Sequence, residues 1–137
     1  MKVKIVLILS ILASLSVVTI PMVKTHSQAT PLQLSSNDAL VLLRTLATVE
    51  AEMKSAEHNY SSLDRLLEHR AMPKKKAAEI SKSDSSSATV RDYQLTVVAS
   101  PDGQHFQMSL VPKSGCGYSL FTNENWVIYE AKAMGCS

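Results

Sequence analysis

From residue 39 onward the apolar or small positions Ala39, Leu42, Leu46, Val49, Met53, Ala56 and Tyr60 recur in steps of three and four. That spacing keeps them on one stripe of an α-helix about five to six turns long. Arg44, Thr48, Glu52, Ser55 and His58 fill the other face, while Leu40, Val41 and Leu43 broaden the apolar character of the first two turns. Ser36 or Asn37 is placed to accept from the free amides at the helix start, and Asp38 suits its positive end. The pattern breaks over Asn59 to Ser62. Ser61 and, three residues on, Asp64 predict a reciprocal cap for a short second helix that holds Leu63, Leu66 and Leu67 and ends near His69. Residues 71–90 then lose all periodicity: Pro73, the lysines at 74–76 and the serine-rich run from Ser81 to Ser87 predict a flexible connector.

Beyond the connector the period changes to two. Tyr93, Leu95, Val97 and Ala99 alternate with Asp92, Gln94, Thr96 and Val98, as expected of a strand with one buried face. Pro101-Asp102-Gly103 is a turn sequence, and Phe106, Met108 and Leu110 form the apolar half of a second strand, so the two make a hairpin. A third strand is predicted from Tyr118 to Phe121 and a fourth from Trp126 to Glu130, with Thr122-Asn123-Glu124-Asn125 as the tip between them. The expected fold class is therefore α+β: a long N-terminal helix plus a short helix packed on a three- to four-stranded antiparallel sheet.

The first 29 residues have a different composition. Lys2 and Lys4 precede an apolar run from Ile5 to Ile20, followed by Pro21 and a polar stretch ending Ser27-Gln28-Ala29. This is the order of a secretory signal cut after Ala29, and the competing reading is a retained membrane anchor over residues 5–23. Residues 30–137 then form a single domain, periplasmic or secreted, or tethered to the inner membrane if the anchor stays. Without Lys2, Lys4 and Lys24 the chain keeps 11 of its 14 basic residues against 12 acidic ones, a net charge of about −1. A nucleic-acid partner has no support in that balance. Cys116 and Cys136 are the two cysteines of the chain. An even number in an exported chain predicts a disulfide closing a C-terminal loop, worth roughly 3 kcal/mol in the chain-entropy account.

No catalytic, cofactor-binding or metal-binding constellation emerges. Ser114-Gly115-Cys116-Gly117 resembles a nucleophile turn only if Cys116 is unpaired, and the four histidines are scattered. There is no nucleophile elbow, phosphate-binding glycine loop or paired cysteine doublet. The aromatic concentration lies between the cysteines. Tyr118, Phe121, Trp126 and Tyr129, with the tip residues Asn123, Glu124 and Asn125, form the candidate interaction surface, because alternating strand residues cannot all face one core.

The segments 43–51 (LRTLATVEA) and 60–66 (YSSLDRL), then Tyr93-Gln94-Leu95-Thr96, Phe106 to Pro112, and 118–128 (YSLFTNENWVI) follow one another in an order that resembles the globular part of bacterial type IV pilins and type II secretion pseudopilins. The resemblance covers roughly residues 39–136. It implies a long helix on an antiparallel sheet with Cys116 and Cys136 closing the last loop, and a protein partner in the envelope or in the secretion or pilus machinery. One departure is plain: residues 1–30 contain no glycine and no acidic residue, whereas pilins carry a Gly before the processing site and a Glu within the hydrophobic helix. The functional expectation is an exported, non-enzymatic envelope protein with a pilin-like head, a structural or interaction module. Its alternative is a small secreted enzyme or inhibitor.

Overall fold

The computed structural model describes residues 34–135. The signal or anchor expected over residues 1–29 lies outside them, as does Cys136.

Helix α1 spans Ser36–Glu57. Its N-cap is Ser35, one residue before Ser36 and two before Asn37, and the Ser35 hydroxyl accepts from the Asp38 amide at 3.1 Å. Ala39, Leu42, Leu43, Leu46, Val49 and Met53 are buried on one side. The stripe stops sooner than its spacing suggests. His58 adopts the left-handed conformation (φ 63°) and its amide closes on the Lys54 carbonyl, so Ala56 stays exposed and Tyr60 leaves the helix to lie 4.6 Å from the Phe106 ring centroid. The two short helices are α2 (Leu63–Glu68) and α3 (Lys74–Ala78). The predicted reciprocal cap of α2 does not form: Ser62 is the N-cap without a side-chain bond, and the buried Ser61 hydroxyl has no partner.

Six strands form one antiparallel sheet in sequence order. They are β1 (Ser81–Lys82), β2 (Ser87–Val90), β3 (Tyr93–Ala99), β4 (Phe106–Pro112), β5 (Tyr118–Asn123) and β6 (Tyr129–Lys132). The register follows the alternation of side chains. Leu95 pairs with Leu110 and Val97 with Met108, and Leu110 in turn with Leu120, so these apolar residues share the face covered by α1 and α2. The opposite face carries rows such as Ser87, Thr96, Ser109, Phe121 and Tyr129, polar apart from the two aromatic residues at one end.

The expected architecture of a long helix and one short helix on a three- to four-stranded sheet is thus corrected to three helices, two of them short, on six strands. The extra strands come from the segment expected to be a connector. Residues 71–90 contain α3, β1 and β2, with Met72, Ile80, Ala88 and Val90 in the core. Alternation of the small residues Ser87-Ala88-Thr89-Val90 is enough to build β2 once β3 offers a ladder. Asp84 shapes the preceding turn, its carboxylate accepting from both the amide and the hydroxyl of Ser86. The last strand is also displaced: Trp126 lies in the turn and β6 begins at Tyr129. The expected closure of the last loop by a disulfide falls on Cys136, outside the described residues; Cys116 itself carries no free thiol.

Candidate functional site

The β5–β6 hairpin builds the candidate surface at the end of the sheet. Its turn is set locally. The Asn123 carboxamide accepts from the Asn125 amide at 3.1 Å, and the Asn123 carbonyl accepts from the Trp126 amide at 2.9 Å. Trp126 is left at φ 61°, a conformation uncommon for a bulky side chain. Its indole compensates by packing 5.1 Å from Phe106 and 6.2 Å from Tyr60, centroid to centroid.

Strand alternation then divides the predicted residues between two faces. Tyr118 lies on the helix side, where the Lys132 ammonium sits 5.6 Å from its ring centroid, and Trp126 joins that side through Phe106. Phe121 and Tyr129 are cross-strand partners on the opposite face. Tyr118, Trp126 and Tyr129 are 38%, 42% and 54% exposed, while Phe121 is half-buried. Of the tip residues, Asn125 is exposed and Asn123 and Glu124 are half-buried. The candidate residues therefore share one hairpin and not one patch. Val127, 49% exposed beside Trp126, belongs to the same surface and was missed. Its signal was faint, because it stood as one aliphatic position within the predicted strand from Trp126 to Glu130.

Between α1 and this hairpin runs a groove of about 470 Å³ lined by Arg44, Ala47, Thr48, Ala51, Trp126 and Ile128. A second hollow, which shares Arg44 and Ile128 with it, lies toward the start of α1 and is lined by Ser36, Asn37, Leu40, Leu120 and Glu130. On the opposite face, His105 Nδ1 stands 3.2 Å from Glu124 Oε1 above a shallow depression reaching Val98 and Gln107. Backbone hydrogen bonding, and then the His105 contact, hold the Glu124 carboxyl below its ordinary range.

One buried titratable group lies away from this surface. Glu50 is fully buried on α1; its Oε1 accepts from the Ser61 amide at 2.5 Å, and its Oε2 has no partner. Burial pushes its carboxyl up to about 7, opposed by the Ser61 amide and by the more distant Arg65. The residue was not singled out in the sequence. Steps of three and four through Leu43, Leu46, Glu50 and Met53 would have placed it on the buried side. Among the described residues, no three His, Cys, Asp or Glu stand where they could hold a metal ion, and no helix is long and apolar enough to cross a membrane.

Comparison with protein-family models, curated proteins and solved structures finds no match.

Proposed function

We propose that the chain is an exported, non-enzymatic interaction module of the bacterial envelope, and that its contact surface is the β5–β6 hairpin. One observation carries the reading. Of the seven large hydrophobic side chains exposed among the described residues, five (Tyr118, Trp126, Val127, Tyr129 and Met134) lie in or just after this hairpin. Scattered surface hydrophobics need no explanation, but a concentration of aromatic anchors at one edge, beside a groove, is the composition of a contact site. The order of apolar and polar segments over residues 1–29 supports export, and the resemblance to pilins and pseudopilins supports a protein partner in the envelope or its secretion machinery.

The test is site-specific photocrosslinking in cells. A photoreactive residue replacing Val127 is expected to capture a protein, either a distinct one or another copy of this chain. The same residue replacing Ser55, on the exposed side of α1, is the control. Equal capture, or none, from the two positions overturns the proposal.

A further inference from the structure

The outer edge of β6 has a backbone and charge pattern that selects one partner. β6 ends the sheet, with β5 as its one strand neighbour among the described residues. All four of its residues are exposed. It has neither a proline nor a bulge; its protection is the pair of inward-facing charges Glu130 and Lys132, which discourage an added strand unless complementary charges lie opposite.

The direction of its backbone groups follows from the ladder. The Ala133 amide donates to the Gly117 carbonyl at 3.4 Å, in register with Tyr118↔Lys132 and Phe121↔Tyr129. Ala133, Ala131 and Tyr129 therefore direct their amides and carbonyls toward β5, and Glu130 and Lys132 direct theirs outward. A strand added antiparallel to this edge must bond to Glu130 and Lys132.

We infer that the added strand is β6 of a second copy of this chain, in the antiparallel register centred on Ala131; this deepens the proposed function by naming the partner of the hairpin edge. In this register Glu130 of each copy lies opposite Lys132 of the other, and each such pair exchanges two backbone hydrogen bonds. Shifting the axis to Glu130 sets Glu130 against Glu130, and shifting it to Lys132 sets Lys132 against Lys132; like charges directly opposite one another are destabilising. Intermediate registers place outward-pointing groups against inward-pointing ones and form no ladder. The Ala131 register is thus the one in which backbone polarity and side-chain charge agree, and it has the two-fold symmetry of an isologous dimer. Size agrees as well: on the opposite face Tyr129 of one copy meets the small side chains of Ala131 and Ala133 of the other. Helix α1 contacts β4 and β5, so the two helices would stand about four strand spacings apart, roughly 19 Å, without collision. A matched exposed pair adds little affinity, whereas like charges directly opposite are penalised, twice in a two-fold dimer, so the charges choose the register.

The test uses the full chain in detergent, mixed as ¹⁴N- and ¹⁵N-labelled copies and treated with a zero-length carbodiimide crosslinker. A peptide joining Glu130 of one isotope to Lys132 of the other is expected. In sedimentation equilibrium, Glu130→Lys and Lys132→Glu should each weaken self-association at least tenfold, and the double exchange, which rebuilds the same pairs reversed, should return it to within threefold of the parent. That recovery separates charge register from misfolding of a single variant. Absence of the mixed-isotope peptide overturns the inference, and so does association that ignores the single reversals. Should the chain stay monomeric while the Val127 position still captures a different protein, the dimer is wrong and the hairpin remains a contact surface; should Val127 capture nothing while the mixed-isotope peptide forms, the edge pairs without that surface.

Discussion

The centre and one edge of the same sheet are put to different uses. At β3 and β4 the residues under the helices, Leu95, Val97, Met108 and Leu110, are at most 1% exposed. Two strands away, all four residues of β6 are exposed, although β6 belongs to the same ladder. The difference lies in what covers the sheet. Helices α1 and α2 cover β3 to β5, and the inner side of β6 carries Glu130 and Lys132 where the centre carries leucine. Stability is concentrated in the covered centre, and the uncovered end is free to make contacts. Substitutions should therefore divide into two classes, costly at the centre and nearly silent at the edge.

The largest effect should come from Leu95→Ala. Leu95 is fully buried opposite Leu110, and removing its isobutyl group loses both transfer free energy and packing, about 3–4 kcal/mol. Urea denaturation checks this. A loss below about 1 kcal/mol would mean that the centre is not the stabilising region.

Next is Glu50, which binds a proton more tightly folded, up to about 7, than its ordinary 4.5. Because the folded state holds the extra proton between those values, the contribution of Glu50 to stability is fully present below about pH 4.5 and is lost as pH rises through about 7. At roughly 1.4 kcal/mol per pH unit the loss is on the order of 3 kcal/mol. Glu50→Gln keeps an acceptor for the Ser61 amide and carries no charge, so its stability should lack this slope and exceed the parent's above neutral pH. Parallel pH profiles for the two proteins would refute the assignment.

Gly103→Ala should cost somewhat less, about 2 kcal/mol. The glycine lies at φ 66°, and an added Cβ would meet Asn59 Oδ1 at 2.6 Å, where the loop after β3 is tied to the end of α1 through Tyr60 and Lys54. Positive φ and the side-chain collision add in the same direction. A shift of less than about 0.5 kcal/mol in thermal or urea unfolding would show that the loop yields.

How much of this was legible depends on how strongly each segment states its period. Tyr93, Leu95, Val97 and Phe106, Met108, Leu110 alternate with polar residues, so the β3–β4 hairpin was readable. β2 was hidden because Ala88 and Val90 are small and sit among serines, and β1 has only two residues, whose strand character exists through pairing with Thr89 and Ala88. The turn at Trp126 was unreadable for another reason: nothing local announces a tryptophan with positive φ, which is held by rings from α1's exit and from β4. The candidate surface was legible as a region. Its division between faces was readable for Tyr118 and Phe121, an odd number of residues apart on one strand, but not for Tyr129, because the true turn had to be known before it could be set opposite Phe121.

The smallest expected effect sharpens the comparison most. Tyr129 and Trp126 are both exposed aromatic residues of one hairpin, yet they differ in what lies behind them. Tyr129 stands on the face without helices, against Phe121 alone among the strand partners, so Tyr129→Ala should change stability by no more than about 0.5 kcal/mol, as for ordinary surface sites. Trp126 packs on Phe106 and Tyr60, and ring pairs of this kind contribute about 0.5–1.5 kcal/mol beyond area burial. Trp126→Ala should therefore cost about 1–2 kcal/mol, although alanine tolerates φ 61° no better than most residues. If the hairpin serves contact first, both variants should lose crosslinking from the Val127 position in the same measurement, with Tyr129→Ala doing so at nearly parental stability. A Tyr129→Ala protein destabilised as much as Trp126→Ala would mean that the far end of the sheet also carries the fold, and the division between covered centre and free edge would fail.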